Sequence, residues 1–194
     1  MRRISKSVLG IAYTGNGKYT PTKYKLIYGV WFNMISRCYD SSFHKKEPSY
    51  IGCKVCKQWL NFQNFAEFYI HEKYYKHGWH LEKDILQKDN KIYSPETCVF
   101  VPPEINKLFV RRKLQRGDLP IGVFYEDSRN KYRASMHENN KSKFLGRYNT
   151  KEEAFYAYKN YKEKHIRTMA DKYKSQISPK LYNVMMNYKV EITD

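Results

Sequence analysis

The sequence predicts an α+β protein: helices first, then a short strand-turn-strand-helix segment, then a three-stranded antiparallel sheet packed on one helix. Three observations carry this. Apolar residues recur at helical spacing across residues 24–39; three strand-like runs separated by polar turns fill residues 121–148; and a capping box, Thr150 with Glu153, precedes a second helical stripe. At 194 residues the chain has room for one domain or two small ones, each with a modest core.

Taken in order, residues 1–23 are rich in Gly, Lys and Thr, with Thr14-Gly15-Asn16-Gly17 as a turn and Pro21 near the end, and read as an arm that orders on a partner. Leu26, Ile27, Val30, Trp31, Met34, Ile35 and Cys38 then mark a core helix, with Arg37 expected on its outer side. Residues 41–49 read as a polar loop. Trp59, Phe62, Phe65, Ala66 and Tyr69 place a second helix over residues 59–75, its aromatic stripe turned to the core. A turn at Gly78 leads to a strand over residues 79–85. Asp89-Asn90 and Ser94-Pro95 supply turn chemistry, and residues 97–101 form a β-branched and aromatic strand. Pro102-Pro103 suits the first turn of a helix that runs to residue 109.

A composition change at Arg111-Arg112-Lys113 and Arg116-Gly117-Asp118 marks a basic linker over residues 111–118, between a first module of residues 1–110 and a second of residues 119–174. In the second module, strands at 121–125, 131–137 and 143–148 are joined by Asp127-Ser128-Arg129-Asn130 and Glu138-Asn139-Asn140. Ala154, Ala157, Tyr158 and Tyr161 give the covering helix its inner face. Residues 175–194 form a tail whose short apolar run, residues 181–186, has no assigned role.

A formal net charge of +17, spread along the whole chain, points to a polyanionic partner, and 19 Tyr interleaved with Lys and Arg fit a nucleic-acid surface. Duplex DNA is the partner expected; no protein partner is implied, and the oligomeric state is open. No apolar run is long enough to span a membrane, and the patch Val8-Leu9-Gly10-Ile11 is too short for a secretion signal, so a cytoplasmic protein is expected. In a reducing compartment Cys38, Cys53, Cys56 and Cys98 are thiols or metal ligands. Only Cys53-Lys54-Val55-Cys56 has ligand spacing, so a structural Zn2+ needs Cys38 and Cys98 to approach in space; small buried hydrophobes are the other reading.

Phosphodiester cleavage needs a cation on the phosphate, an activated water and a stabilised leaving oxygen. Strand-turn-strand-helix order lets an acid on the first strand meet an amide on the final helix, an oxygen-rich set suited to Mg2+ or Mn2+. Glu82 and Asn106 are the candidate ligands, and Asp84 shares strand parity with Glu82. The competing reading makes Glu82, Lys83 and Asp84 surface charges and Asn106 a helix-surface amide.

Residues 81–109, Leu-Glu-Lys-Asp-Ile-Leu through Tyr-Ser-Pro-Glu-Thr-Cys to Ile-Asn-Lys-Leu-Phe, resemble the β-β-α-metal motif of HNH endonucleases, particularly phage-borne homing-type enzymes. The resemblance implies that Glu82 takes the place of the metal-binding acid, Lys83 of the general-base His, Asn90 of the turn-bracing Asn and Asn106 of the helix ligand. It also implies a bacterial host cell as the location. Two positions depart from the pattern. Glu82 stands where Asp is usual, which keeps the charge, and Lys83 cannot replace an imidazole as base unless its pKa falls strongly. His80, in parity with Glu82, is the preferred substitute; Tyr93, His77 and a metal-bound water are others.

Ile121-Gly122-Val123, Lys131-Tyr132-Arg133-Ala134-Ser135, Phe144-Leu145-Gly146-Arg147-Tyr148 and the stretch from Thr150 to Tyr158 are similar to the ethylene-response-factor (APETALA-type) DNA-binding domain. That resemblance implies a sheet laid in the major groove with the helix behind it. Alternation agrees, with Tyr132, Ala134 and Met136 toward the helix and Lys131, Arg133, Ser135 and His137 outward. Arg133 is the expected base reader, Lys131, Lys143 and Arg147 the expected phosphate contacts, and Arg129 can serve either role; Arg111 and Arg112 extend the basic surface. Gly146 is a candidate bulge that leaves the facing of Lys143 and Arg147 open. The whole reads as a metal-dependent DNA endonuclease targeted by a C-terminal sheet. The alternatives are a DNA-binding or regulatory protein that keeps the framework without cleavage, and a zinc-stabilised nucleic-acid-binding module around Cys53 and Cys56.

Overall fold

Ile27, Trp31, Met34, Ile35 and Cys38 are buried along one side of α1 (Lys25–Tyr39), the helix around which the N-terminal core is built. The structure, a computed structural model, describes residues 6–110, 117–138 and 141–194. It is α+β and divides into two units, one ending at Pro103 and the other beginning at Glu104. No helix among the described residues is long and apolar enough to cross a membrane.

In the first unit, β1 (Lys6–Val8) and β2 (Ala12–Tyr13) form an antiparallel hairpin. The segment expected as a loose arm is packed instead: Val8, Ala12 and Tyr19 are buried, and the Tyr19 hydroxyl donates to Glu67 at 2.5 Å. Burying these side chains stabilises the segment without any partner. The region expected as a polar loop contains α2 (Ser41–Lys46), which starts because the Asp40 carboxylate accepts from the Ser42 N–H at 2.8 Å. Next come β3 (Lys54–Val55), a 3-10 turn over Lys57–Leu60, and α3 (Phe62–His71), capped by Asn61 through the Gln63 N–H. The second helix is therefore shorter than the expected 59–75. Trp31 Nε1 donates to the Trp59 carbonyl at 2.6 Å and so ties α1 to the turn before α3.

The remaining strands of this unit are β4 (His80–Glu82), β5 (Ile92–Tyr93) and β6 (Val99–Val101). β4 and β6 pair antiparallel with Glu82 opposite Val99, while β5 crosses to pair in parallel with β3. The excursion between β4 and β6 is thus anchored to the helical part of the unit at its midpoint.

The second unit holds α4 (Pro103–Leu108), β7 (Val123–Glu126), β8 (Lys131–Glu138), β9 (Lys141–Tyr148), α5 (Lys151–Tyr173) and α6 (Pro179–Met186). β7, β8 and β9 form the antiparallel sheet, and α5 begins at the Thr150–Glu153 capping box and lies against it. The division falls at residue 103 rather than in the linker expected at 111–118. Its cause is visible in α4 and just beyond: Glu104 accepts from Lys172 at 2.8 Å and from the Tyr173 hydroxyl at 2.9 Å, and Phe109 packs edge-on against Tyr188. Arg111 and Arg112 lie outside the described residues. The apolar run of the C-terminal stretch, which had no assigned role, is part of this unit's core: Leu181 and Met185 are buried, and the Val190 N–H donates to Glu163 at 3.0 Å.

The inner face of α5 carries one anomaly, Lys162, which is 8% exposed and makes no hydrogen bond or ion pair with any described residue. Burial pushes its pKa down to about 8 from an ordinary 10.5. A folded-state value below the unfolded one costs stability at every pH where the unfolded chain is protonated. The cost is absent above about pH 10.5, grows as pH falls toward 8 and is constant below, at about 3 kcal/mol. Lys162→Met should therefore raise the Tm by roughly 10 °C at pH 7 and by little near pH 10.5. A Tm that stays put or falls in a calorimetric scan at pH 7 would refute the unpaired ammonium.

Candidate active site and nucleic-acid interface

Glu82 ends β4, and its carboxylate folds back over the turn that follows: Oε1 accepts from the Lys83 N–H at 2.9 Å and from the Asp84 N–H at 3.2 Å. Two main-chain donors fix the carboxylate in place, and Oε2 accepts no hydrogen bond from the described residues, although the Arg37 charge acts on the carboxylate. Asp84 lies past the last residue of β4, so the strand parity expected to align it with Glu82 does not hold there.

Lys83 points inward and is only 5% exposed. Its ammonium donates to Asp84 Oδ1 and, at 2.8 Å, to the Asn90 carbonyl, and it lies within 6 Å of the Tyr50 and Tyr93 ring centroids. Both contacts use the nitrogen as a donor and commit it to the turn, inside the protein. Asn90 completes the brace. Its Nδ2 donates to the Lys83 carbonyl at 3.1 Å and the Ile92 carbonyl at 2.6 Å, and its Oδ1 accepts from the Ile92 N–H at 3.1 Å.

Periodicity did not reveal Arg37, which is expected outward but is half-buried in this corner, over the Tyr50 ring at 5.5 Å and against the Tyr93 hydroxyl. Burial opposes its charge, yet the Tyr50 and Tyr93 phenols and Glu82 more than offset this and hold its pKa above the usual range. Burial also drives the Tyr93 phenol well above its ordinary pKa, so Tyr93 is no base at neutral pH. His80 is exposed on β4 two residues before Glu82, and His77 is exposed in the turn before that strand. Asn106 sits half-buried on α4, in the second unit.

No three His, Cys, Asp or Glu among the described residues gather as a metal-sized group. Cys53 and Cys56 are accordingly not joined by Cys38 and Cys98 into a zinc set. Burial pushes the Cys38 and Cys98 thiols up to about 12, away from the thiolate that zinc needs. For a harder cation the donors offered by the first unit are Glu82 Oε2 and the Asp84 carboxylate, and water or amide oxygens would have to complete the shell, as Mg2+ allows.

In the second unit the sheet turns Phe124, Glu126, Arg133, Phe144 and Arg147 to the side away from α5. Arg133 and Arg147 are direct cross-strand partners, and Glu126 takes one on each oxygen: Arg147 Nε at 2.5 Å on Oε2 and Arg133 Nη1 at 3.6 Å on Oε1, with Arg129 Nε at 4.0 Å beyond. The bond to Arg147 and the charges of all three arginines hold Glu126 below the usual carboxylate range. Arg133 lies over the Phe124 ring at 5.2 Å and Arg147 over Phe144 at 4.9 Å, and the two rings are 45% and 53% exposed.

A bulge decides the facing of β9. Ala134 opposes Gly146 but Ser135 opposes Phe144, so Leu145 is the extra residue and Gly146 takes φ +138°. Beyond the bulge Lys143 pairs with Met136 on the helix side and lies over Tyr161, not beside Arg147. Ser135, expected among the outward, DNA-facing residues, is 7% exposed and is not presented to a partner. Lys131 keeps its outward place and donates to Asn149. The exposed rings Phe124 and Phe144 escaped the sequence reading, although alternation from Arg133 across the strand pairs could have found them. Comparison with protein-family models, with curated proteins and with solved structures finds no match.

Proposed function

We propose that this chain is a metal-dependent DNA endonuclease of HNH type, with cleavage chemistry at the end of β4 and duplex binding by the outer face of the C-terminal sheet. The observation that carries the cleavage half is the Glu82 carboxylate, locked through Oε1 by two main-chain N–H groups with Oε2 left over. A carboxylate fixed before its ligand arrives loses little entropy on binding. Its oxygen and those of Asp84 are hard donors that fit Mg2+ or Mn2+. When bound, such an ion polarises the phosphate and stabilises the leaving oxygen. His80, on the same strand and open to solvent, is the candidate for taking the proton from water. Lys83 and Asn90 hold the turn that presents Glu82.

The duplex-binding half is supported by the paired arginines and exposed rings of the sheet, and by the net charge of +17. One observation favours a binding protein that does not cut: the position resembling the general-base His holds a buried, fully engaged Lys83. Incubating supercoiled plasmid with the protein, with and without Mg2+, separates the two. We expect nicked or linear product only with the metal. Plasmid that is retarded on a gel but stays supercoiled would leave the binding protein standing and remove the nuclease.

A further inference from the structure

We propose that Arg147 is the guanine-reading residue of the sheet and that Glu126 is its positioning residue, which sets base selection without touching a base. The inference rests on the duplex-binding reading above. A guanidinium reads guanine with two parallel donors directed at O6 and N7, so the reader must keep a pair of adjacent N–H groups free. Arg147 meets that condition. It gives only Nε to Glu126, at 2.5 Å, and both terminal nitrogens have no partner among the described residues. Arg133 does not meet it as well, because a terminal nitrogen, Nη1, is the one turned to Glu126 and its Nε is buried without a partner. The pattern reverses the roles expected from alternation, where Arg133 reads bases and Arg147 holds a phosphate.

Glu126 is what makes this arrangement possible. Like charges directly opposite on neighbouring strands repel, and Arg133 and Arg147 are such a pair. A carboxylate between them, 18% exposed, accepts from Arg147 on one oxygen and pairs electrostatically with Arg133 across 3.6 Å on the other, which removes the reason for the two side chains to splay apart. Phe144 beneath Arg147 limits the plane its fork can adopt. Arg147 is thereby ordered before DNA arrives, with its free edge set by which nitrogen the carboxylate holds.

The test uses the full chain in Mg2+-free buffer and a randomised duplex library to obtain the preferred site. Binding is then measured to that duplex with each guanine replaced in turn by 7-deazaguanine, which lacks the N7 acceptor. We expect one position at which the replacement weakens wild-type binding roughly tenfold or more. At that position Arg147→Lys should be indifferent to the replacement and Glu126→Gln should lose most of the discrimination. Arg133→Lys should bind every duplex more weakly while keeping the preference. Glu126→Gln should also raise affinity for unrelated duplex, since a negative charge has left the face. A purely structural role for Glu126 would weaken binding to all duplexes alike. If Glu126→Gln discriminates as wild type does, the positioning role is wrong; if Arg133→Lys, not Arg147→Lys, loses the position, the reader is misassigned. A wild type that retains no duplex even at low salt would remove the duplex-binding reading itself, and both roles with it.

Discussion

Gly122→Ala is expected to destabilise the C-terminal unit by about 2–5 kcal/mol, a large part of what holds a domain of this size together. Two independent costs add. Gly122 sits at φ +78°, where a residue with a Cβ is disfavoured by roughly 1–2 kcal/mol. A Cβ built there also comes within 2.1 Å of Tyr158 Cδ2, in the ring that α5 presents at the start of β7. Tyr158 is buried, so the ring cannot swing into solvent, and overpacking of this kind costs roughly 1–3 kcal/mol. Thermal unfolding should show the Tm lowered by roughly 10–20 °C. The double variant Gly122→Ala with Tyr158→Ala tells the two costs apart, because trimming the ring removes the clash and leaves the backbone cost. The two single effects should then sum to more than the double. A Gly122→Ala protein that melts within a few degrees of wild type would mean that β7 does not approach α5 as closely as the structure has it.

Where one physical signal dominated, the fold was legible in the sequence. The stripe from Ile27 to Cys38 gave α1 to within a residue, and the Thr150–Glu153 box fixed the start of α5, because each rests on contacts a few residues apart. Gly146 likewise marked its bulge, since only a residue without a Cβ takes its backbone conformation at low cost. The misses share the opposite property. α2 has no buried residue, so it leaves no apolar period and depends on a cap at Asp40. β3 and β5 are two residues each and meet across a long chain separation, which no local pattern records. The N-terminal segment looked like an arm because its buried residues, Val8, Ala12 and Tyr19, follow neither a helical nor a strand period.

The candidate sites divide in the same way. Residue types were readable: an acid at 82, an Asn at 90, arginines at 133 and 147. Which atom each residue commits was not. Lys83 is buried because two phenol rings and the Asn90 carbonyl form its pocket, and the ring of Tyr50 comes from a distant segment. Glu126 looked like one more charge beside a turn, and only the register of three strands makes it the carboxylate between two arginines.

That contrast between residue type and committed atom gives the second large effect. Glu82→Gln should lower metal-dependent plasmid cleavage by on the order of 10³-fold, since it removes the ligand charge worth several kcal/mol at a scissile phosphate. The amide oxygen of Gln can still accept from the Lys83 and Asp84 N–H groups that Glu82 Oε1 engages now. The turn should survive and the Tm should stay within a few degrees. Lys83→Met should behave differently. It deletes the ammonium bonded to Asp84 and to the Asn90 carbonyl, leaving a buried acceptor unmatched at a cost of about 1.5–3 kcal/mol. Cleavage and Tm should then fall together, because the turn that presents Glu82 is loosened. Activity assays run beside thermal melts decide the matter: a Glu82→Gln protein that cuts at the wild-type rate is incompatible with a metal held at residue 82, and a Lys83→Met protein as stable as wild type is incompatible with Lys83 as the brace. If instead Glu82→Gln loses stability as well as cleavage, the carboxylate charge holds the turn, and the loss of cutting says nothing about a ligand.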